Sequence, residues 1–182
     1  MSDISQLYFK IKLSKQALQS YLTHTTASPI ELPGLSAWLD QQRYEGVEVY
    51  LDDIEDNCSQ ELLVMNWLKS YCDEQNNVAQ EPYINHYDEM SQTWTFALLE
   101  FSDNIYEMVT ALYVISEIAQ FKDIESDDCV MIIPYLNGEG TENPIAVLQI
   151  NMDAVIFKDE IQQDDAIQAN RIFEVLAQER AD

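Results

Sequence analysis

A chain of 182 residues that is 47% hydrophobic, with only four glycines and five prolines, can bury a full core and excludes long low-complexity linkers. Its 33 acidic and 9 basic residues give a net charge of −24, which repels nucleic acid and anionic membrane and favours a basic protein as partner. Residues 1–50 hold four basic and five acidic residues, a net charge of −1, so residues 51–182 carry the remaining −23.

The three cysteines, Cys58, Cys72 and Cys129, are odd in number and lack any C-x-x-C spacing. This pattern predicts neither a disulfide framework nor a zinc site. The first residues contain no basic segment followed by an apolar one, as a secretory signal requires. We therefore predict a cytoplasmic protein with reduced thiols, and the sequence leaves its oligomeric state open.

The first 45 residues predict one strand and two short helices. Apolar and mostly basic residues alternate from Leu7 to Leu13, which predicts a half-buried strand with its basic face in water. Ser14 then caps a helix that ends near Leu22, and a second helix ends near Arg43. We interpret residues 1–45 as an N-terminal addition to the central unit, and the sequence leaves open whether they pair with the main sheet.

Residues 46–136 alternate between strand and helix patterns. The last strand contains a continuous Val-Met-Ile-Ile run, which indicates the centre of a sheet. The predicted elements are a strand at Val47–Asp52, a helix at Ser59–Cys72, a hairpin of strands at Tyr83–Tyr87 and Thr93–Phe101, a helix at Asn104–Phe121 and a strand at Cys129–Leu136.

The helix at Asn104–Phe121 is apolar over most of its circumference and should be buried on more than one side. Asn104 and Glu107 have the spacing of a capping box, which places the start of the helix. Glu107 and Glu117 interrupt the apolar run, so we do not interpret it as a transmembrane span.

The C-terminal residues 137–182 predict a strand at Ile145–Ile150, a further strand at Asn151–Phe157 and a helix that Asp164 and Asp165 open. The buried stripe of this helix is expected to consist of Ala169, Ile172, Phe173 and Leu176. We predict one domain over residues 1–182, of the α+β class, with helices packed on a mostly antiparallel sheet.

The β-α-β-β-α-β order over residues 46–136 resembles the ferredoxin-like supersecondary pattern. The resemblance implies that the first strand lies antiparallel between the third and the fourth. Three acidic clusters, at the exit of the first strand, the hairpin turn and the entry of the fourth strand, would then form one patch. The expected partner-binding residues are Asp52, Asp53, Glu55, Asp56, Asp88, Glu89, Asp123, Glu125, Asp127 and Asp128, with Tyr50 and Tyr87 at the rim.

The sequence predicts no catalytic residues, cofactor or metal site. The motif G-x-S-x-G is absent, and neither His24 nor His86 lies in a recognisable catalytic constellation. The only close glycine pair is acidic and is followed by no lysine of a phosphate loop. The carboxylate runs lack the glycine of a calcium loop.

Three classes of function fit these features. The first is a non-enzymatic immunity or inhibitor protein that masks the surface of a basic bacterial toxin, such as a nuclease. The second is a scaffold or adaptor subunit with an apolar contact surface, and the third is a metal-assisted enzyme that uses clustered carboxylates. A single acidic patch should also raise the average pKa of its carboxyls on folding, because like charges repel.

Overall fold

The computed structural model describes residues 4–27, 31–41, 43–44, 47–48, 51–58, 61–72, 82–135, 141–152 and 154–181. Its helices are α1 Lys15–Leu22, α2 Leu35–Leu39, α3 Leu51–Cys58, α4 Val64–Cys72, α5 Ile105–Ser116 and α6 Gln163–Ala181. Its strands are β1 Ser5–Lys12, β2 Arg43–Tyr44, β3 Val47–Glu48, β4 Tyr83–Asp88, β5 Thr93–Leu98, β6 Asp128–Pro134, β7 Ala146–Asn151 and β8 Ala154–Lys158.

Six strands form one antiparallel sheet in the order β4-β5-β1-β6-β7-β8. The α+β class and the antiparallel sheet are therefore as predicted. Strand β1 lies at the centre, between β5 and β6. The N-terminal segment therefore does pair with the main sheet, a point that the sequence left open. The face of β1 that was predicted to lie in water is also largely buried. Gln6 and Tyr8 on that face are buried, and Lys12 is its one exposed residue.

The predicted β-α-β-β-α-β order over residues 46–136 is not confirmed. Val47–Glu48 pairs with Arg43–Tyr44 in a separate two-stranded sheet, and the place between the third and fourth strands is filled by β1. The residues from Leu51 to Cys58, predicted in part as the end of that strand, form α3. The physical reason is length, because β1 has eight residues, among them the buried Leu7, Phe9 and Ile11, whereas β3 has two.

Helix α5 lies in the core as predicted, and nine of its residues are buried. The side chain of Asn104 caps it by accepting from the Tyr106 amide at 2.9 Å. The second half of the predicted capping box is wrong, since Glu107 accepts instead from Ser102 Oγ at 2.6 Å and from the Tyr71 hydroxyl at 2.8 Å. A 3₁₀ turn, Glu117–Phe121, continues the helix.

The sheet has a core on each face. The first face packs against α1 to α5 through large side chains such as Phe9, Trp94 and Phe96. The second face is covered by α6, whose predicted stripe is confirmed: Ala169, Phe173 and Leu176 are buried and Ile172 is half-buried. None of the helices in the described residues is both long and apolar enough to cross a membrane.

Candidate functional site: the acidic end of the sheet

Strand pairing brings three chain segments to one end of the sheet. Lys12, the last residue of β1, and Asp88, the last residue of β4, both lie opposite Thr93. Asp128, at the start of β6, accepts a hydrogen bond from the Lys12 amide at 3.0 Å. The hairpin turn and the entry of the fourth predicted strand therefore meet, as the sequence analysis expected.

The hairpin turn holds Asp88 and Glu89, both exposed. The Asp88 carboxylate accepts from the Met90 amide at 2.8 Å, and this bond together with those from Ser91 lowers its pKa. Glu89 forms an ion pair with Lys15, which lowers its pKa as well. Both carboxylates thus have partners within the protein.

Tyr87 and Asp123 connect this turn to the start of α1. The half-buried Tyr87 donates its hydroxyl to the Leu13 carbonyl at 3.0 Å, and Asp123 accepts from the Ser14 amide at 2.8 Å. Loss of some hydration would raise the pKa of the exposed Asp123, but the hydrogen bonds from Ser14 and from its own backbone, together with the charge of Lys122, outweigh that effect and the pKa is lowered. Glu125 is exposed in the same loop.

Asp128 differs from the sequence expectation because it is buried. Its Oδ2 atom forms an ion pair with the ammonium of Lys122, whose side chain is 0% exposed, and accepts from Ser126 Oγ at 3.0 Å. Lys122 also donates to the Lys12 carbonyl at 3.3 Å. A carboxylate held in this way stabilises the junction of β1 and β6, and its charge is already compensated by Lys122.

A groove of about 260 Å³ lies beside this ion pair, between β6 to β8 and the start of α6. We call it the acidic groove. Asp127 and Glu160 are exposed at its rim, and Asp165 is half-buried. Its lining consists of Asp127, Asp128, Cys129, Val147, Leu148, Gln149, Lys158, Glu160, Ile161, Gln162 and Asp165.

The carboxyl of Asp165, which lines the acidic groove, has a raised pKa. Burial raises its pKa, and the negative charges of Asp128 and Asp164 raise it further, while Lys10 acts in the opposite direction. From the sequence, Asp164 and Asp165 were expected only to open the C-terminal helix, as acidic residues favourably placed in its first turn. They lie near Asp128 because α6 packs on the second face of the sheet. No local sequence pattern predicts that packing.

The acidic cluster predicted at the exit of the first strand lies elsewhere in the fold. Asp52 and Asp53 are exposed in the first turn of α3. That helix belongs to the helical layer, where Cys58 Sγ donates to the Tyr106 carbonyl at 3.3 Å. The reason for grouping them with Asp88 and Asp128, a shared sheet end, therefore fails. Tyr50 and the side chains of Glu55 and Asp56 lie outside the described residues.

The acidic end, taken together with the acidic groove, also contains most of the basic residues of the chain, so its net charge is only −5. It comprises ten carboxylates: Asp88, Glu89, Asp123, Glu125, Asp127, Asp128, Asp159, Glu160, Asp164 and Asp165. Five of the nine basic residues accompany them: Lys10, Lys12, Lys15, Lys122 and Lys158. The predicted rise in pKa is opposite to what is found at Asp88, Glu89 and Asp123, since each has its own donor or cation.

The two histidines lie apart from the acidic groove. His24 Nε2 is 3.0 Å from Glu117 Oε2 and its ring packs against Phe121, whereas His86 is exposed on β4. Within the described residues, no three His, Cys, Asp or Glu side chains are arranged to hold a metal ion. The acidic groove combines carboxylates with the apolar side chains of Val147 and Ile161, and a long basic side chain can contact both kinds of group.

Comparison of the chain with known protein families, characterised protein sequences and solved structures finds no match.

Proposed function

We propose that this protein is a non-enzymatic binding protein for a basic protein, and that the acidic groove receives a lysine or arginine side chain of that partner. The observation that carries the proposal is the groove itself, with Asp127, Glu160 and Asp165 around a floor that includes Val147 and Ile161. A long basic side chain suits such a site, since its aliphatic stem packs on apolar surface while its charge meets the carboxylates.

The state of Asp165 supports this assignment. Its raised pKa reflects burial and neighbouring negative charge that Lys10 compensates only in part. A guanidinium or ammonium from a partner would supply the missing positive charge and lower that pKa. Binding should therefore favour the ionised form of Asp165.

The net charge of −24 supports the same class of partner. Since the acidic end accounts for only a small part of it, attraction at long range comes from the whole surface, and the acidic groove provides the local contact. Such a field raises the rate of encounter with a basic protein and repels acidic ones. An inhibitor that must capture a basic toxin quickly, such as an immunity protein for a nuclease, would use both features.

The test compares two double variants that remove the same amount of charge. Asp127→Asn with Asp165→Asn removes two carboxylates of the acidic groove. Glu174→Gln with Glu179→Gln removes two exposed carboxylates of α6 outside it. Asp128 is left intact because its substitution would disturb a buried ion pair. Each tagged protein is incubated with extract of the cells that encode it, captured proteins are identified by mass spectrometry, and their association rates are measured.

We expect the wild type and the α6 variant to capture the same basic protein, with an association rate that falls between about 50 and about 500 mM NaCl. The groove variant should bind it more weakly and dissociate faster. Equal binding by both variants would show that the groove is not the contact. An association rate insensitive to salt would favour the scaffold alternative, in which the acid serves solubility.

A further inference from the structure

Lys10 lies next to the acidic groove, on the second face of the sheet, which α6 covers. It is part of β1 and lies opposite Cys129 of β6, and Cys129 lines the groove. The Lys10 ammonium donates to Gln168 Oε1 at 2.6 Å, and Gln168 belongs to α6. Both side chains are half-buried. The ammonium is therefore held by a neutral amide.

A carboxylate lies near the same ammonium. Asp165 precedes Gln168 by three residues on α6, so the two side chains are neighbours on one side of the helix. Burial raises the pKa of Asp165, and the positive charge of Lys10 offsets part of that rise. Even so, Lys10 forms no ion pair with any acidic residue that the structure describes. It donates to an amide although a carboxylate lies one helical turn away.

The hydrogen bond to Gln168 competes with a stronger one. An ammonium binds a carboxylate more strongly than it binds a neutral amide, and the difference grows where water is partly excluded. The four-carbon stem of a lysine is flexible, so an ammonium released from Gln168 can turn towards Asp165. Such an internal ion pair would occupy the carboxylate that the acidic groove offers to a partner.

The other groups around Asp165 are neutral or charged as follows. Burial raises the pKa of Tyr8 and that of Cys129, so both stay protonated at neutral pH and compensate no charge. The charged groups that line the groove or act on Asp165 are Asp127, Asp128, Glu160, Asp164, Lys10 and Lys158. Of the two lysines, Lys10 is the one whose charge acts on Asp165. The position of Lys10 therefore controls how far Asp165 is compensated from within the protein.

We infer that Gln168 is a positioning residue of the acidic groove: it holds the Lys10 ammonium away from Asp165 and so keeps that carboxylate free for a basic side chain of the partner. The inference rests on the proposed function and specifies how the protein avoids blocking its own binding site. Gln168 acts through Lys10 and Asp165 rather than by contact with the partner.

The first test measures the pKa of Asp165 in the free protein, from the pH dependence of its carboxyl carbon chemical shift. Gln168→Met removes the acceptor and keeps the net charge and a helix-forming side chain of similar length. Gln168→Glu is the matched control, because it keeps an acceptor for Lys10. Lys10→Met, alone and combined with Gln168→Met, completes a double-mutant cycle. Thermal melts check that each variant is folded, and Gln168→Ala makes the same test with a smaller side chain.

We expect Gln168→Met to lower the pKa of Asp165, because Lys10 then pairs with it. Gln168→Glu should not lower that pKa, since the acceptor remains and the added negative charge acts in the opposite direction. In the Lys10→Met background, Gln168→Met should leave the pKa of Asp165 unchanged. An unchanged pKa in the single variant Gln168→Met, or an equal decrease with and without Lys10, would overturn the inference and leave the proposed function intact.

The second test measures binding of a hexalysine peptide with blocked ends by calorimetry. Gln168→Met should bind this peptide about tenfold more weakly than the wild type, although the two proteins have the same net charge. The affinity of Gln168→Glu should be at least that of the wild type. Equal affinities of Gln168→Met and the wild type would overturn the inference. If the wild type does not bind hexalysine, the proposed function fails, whereas the expected pKa cycle would still support the placement of Lys10 by Gln168.

Discussion

Removal of the Asp128 charge should destabilise the protein strongly. In Asp128→Asn the amide oxygen can still accept from the Lys12 amide, which donates to Asp128 at 3.0 Å, so the substitution tests charge rather than shape. The ammonium of Lys122 then keeps only neutral acceptors, the Lys12 carbonyl and Ser126 Oγ. Burying the Lys122 ammonium without its counter-ion reduces the free energy of unfolding.

The magnitude follows from burial. The side chains of Lys122 and Asp128 are 0% and 9% exposed, so water cannot replace the lost carboxylate. Breaking a pair buried to this extent costs about 3–5 kcal/mol. For a chain of this length each kcal/mol lowers the melting temperature by about 2–4 °C, so we expect a decrease of about 6–20 °C.

The assay is thermal and urea unfolding at neutral pH for the wild type, Asp128→Asn, Lys122→Met and the double variant. The double variant should be more stable than the sum of the two single effects predicts. Each single change leaves a buried charge without its counter-ion, whereas the double change removes both charges. Glu89→Gln is the matched control. It breaks the pair with Lys15, whose partners are 61% and 70% exposed, and should leave the melting temperature unchanged.

A melting temperature of Asp128→Asn within about 2 °C of the wild type would refute this reasoning. Strictly additive effects in the double variant would also refute it. In either case the pair would have to be accessible to water.

Three further predictions concern pH and backbone strain. The pKa values of Asp88 and Asp123 are lowered in the fold, so these groups stabilise it above their unfolded pKa and lose that effect as the pH falls through their folded pKa. The melting temperature of the double variant Asp88→Asn with Asp123→Asn should therefore fall less than that of the wild type between about pH 7 and about pH 3. An equal fall in both proteins would contradict this prediction. The pKa of Asp165 is raised in the fold, so the stabilising effect of its protonated form is lost as the pH rises. Between about pH 4 and about pH 7, the melting temperature of Asp165→Asn should therefore rise relative to that of the wild type in the same melts. Gly34 has a φ of +83°, and an added Cβ would lie 3.1 Å from Phe157 Cδ2. Gly34→Ala should therefore lower the free energy of unfolding in urea by about 1–2 kcal/mol. An unchanged urea midpoint would show that the turn adjusts.

Local sequence patterns predicted most of the secondary structure. The alternation of β1, the continuous apolar run of β6 and the buried stripe of α6 each identify an element that the structure contains. These signals are reliable because they span many residues and depend on the period of the element alone. The two residues of β3 had no such support, and their pattern was extended wrongly into the start of α3.

The candidate site was predictable only in part, for the same reason. Asp88 and Asp123 could be placed at one sheet end because each adjoins a strand or its loop, whereas the role of Asp165 depends on where α6 docks. The burial of Asp128 depends on Lys122, six residues before it, turning into the core. No local pattern distinguishes such an inward lysine from an exposed one.

The sequence by itself determined the class of the fold, the positions of its long elements and the large negative charge, because these depend on composition and on periodicity within one segment. Tertiary structure decided which strand occupies the centre of the sheet, which carboxylates are neutralised by a lysine and which line a groove. It also left β8 at the edge of the sheet. Those properties arise from contacts between segments distant in the chain, where the burial of apolar surface selects one arrangement among several that local patterns allow.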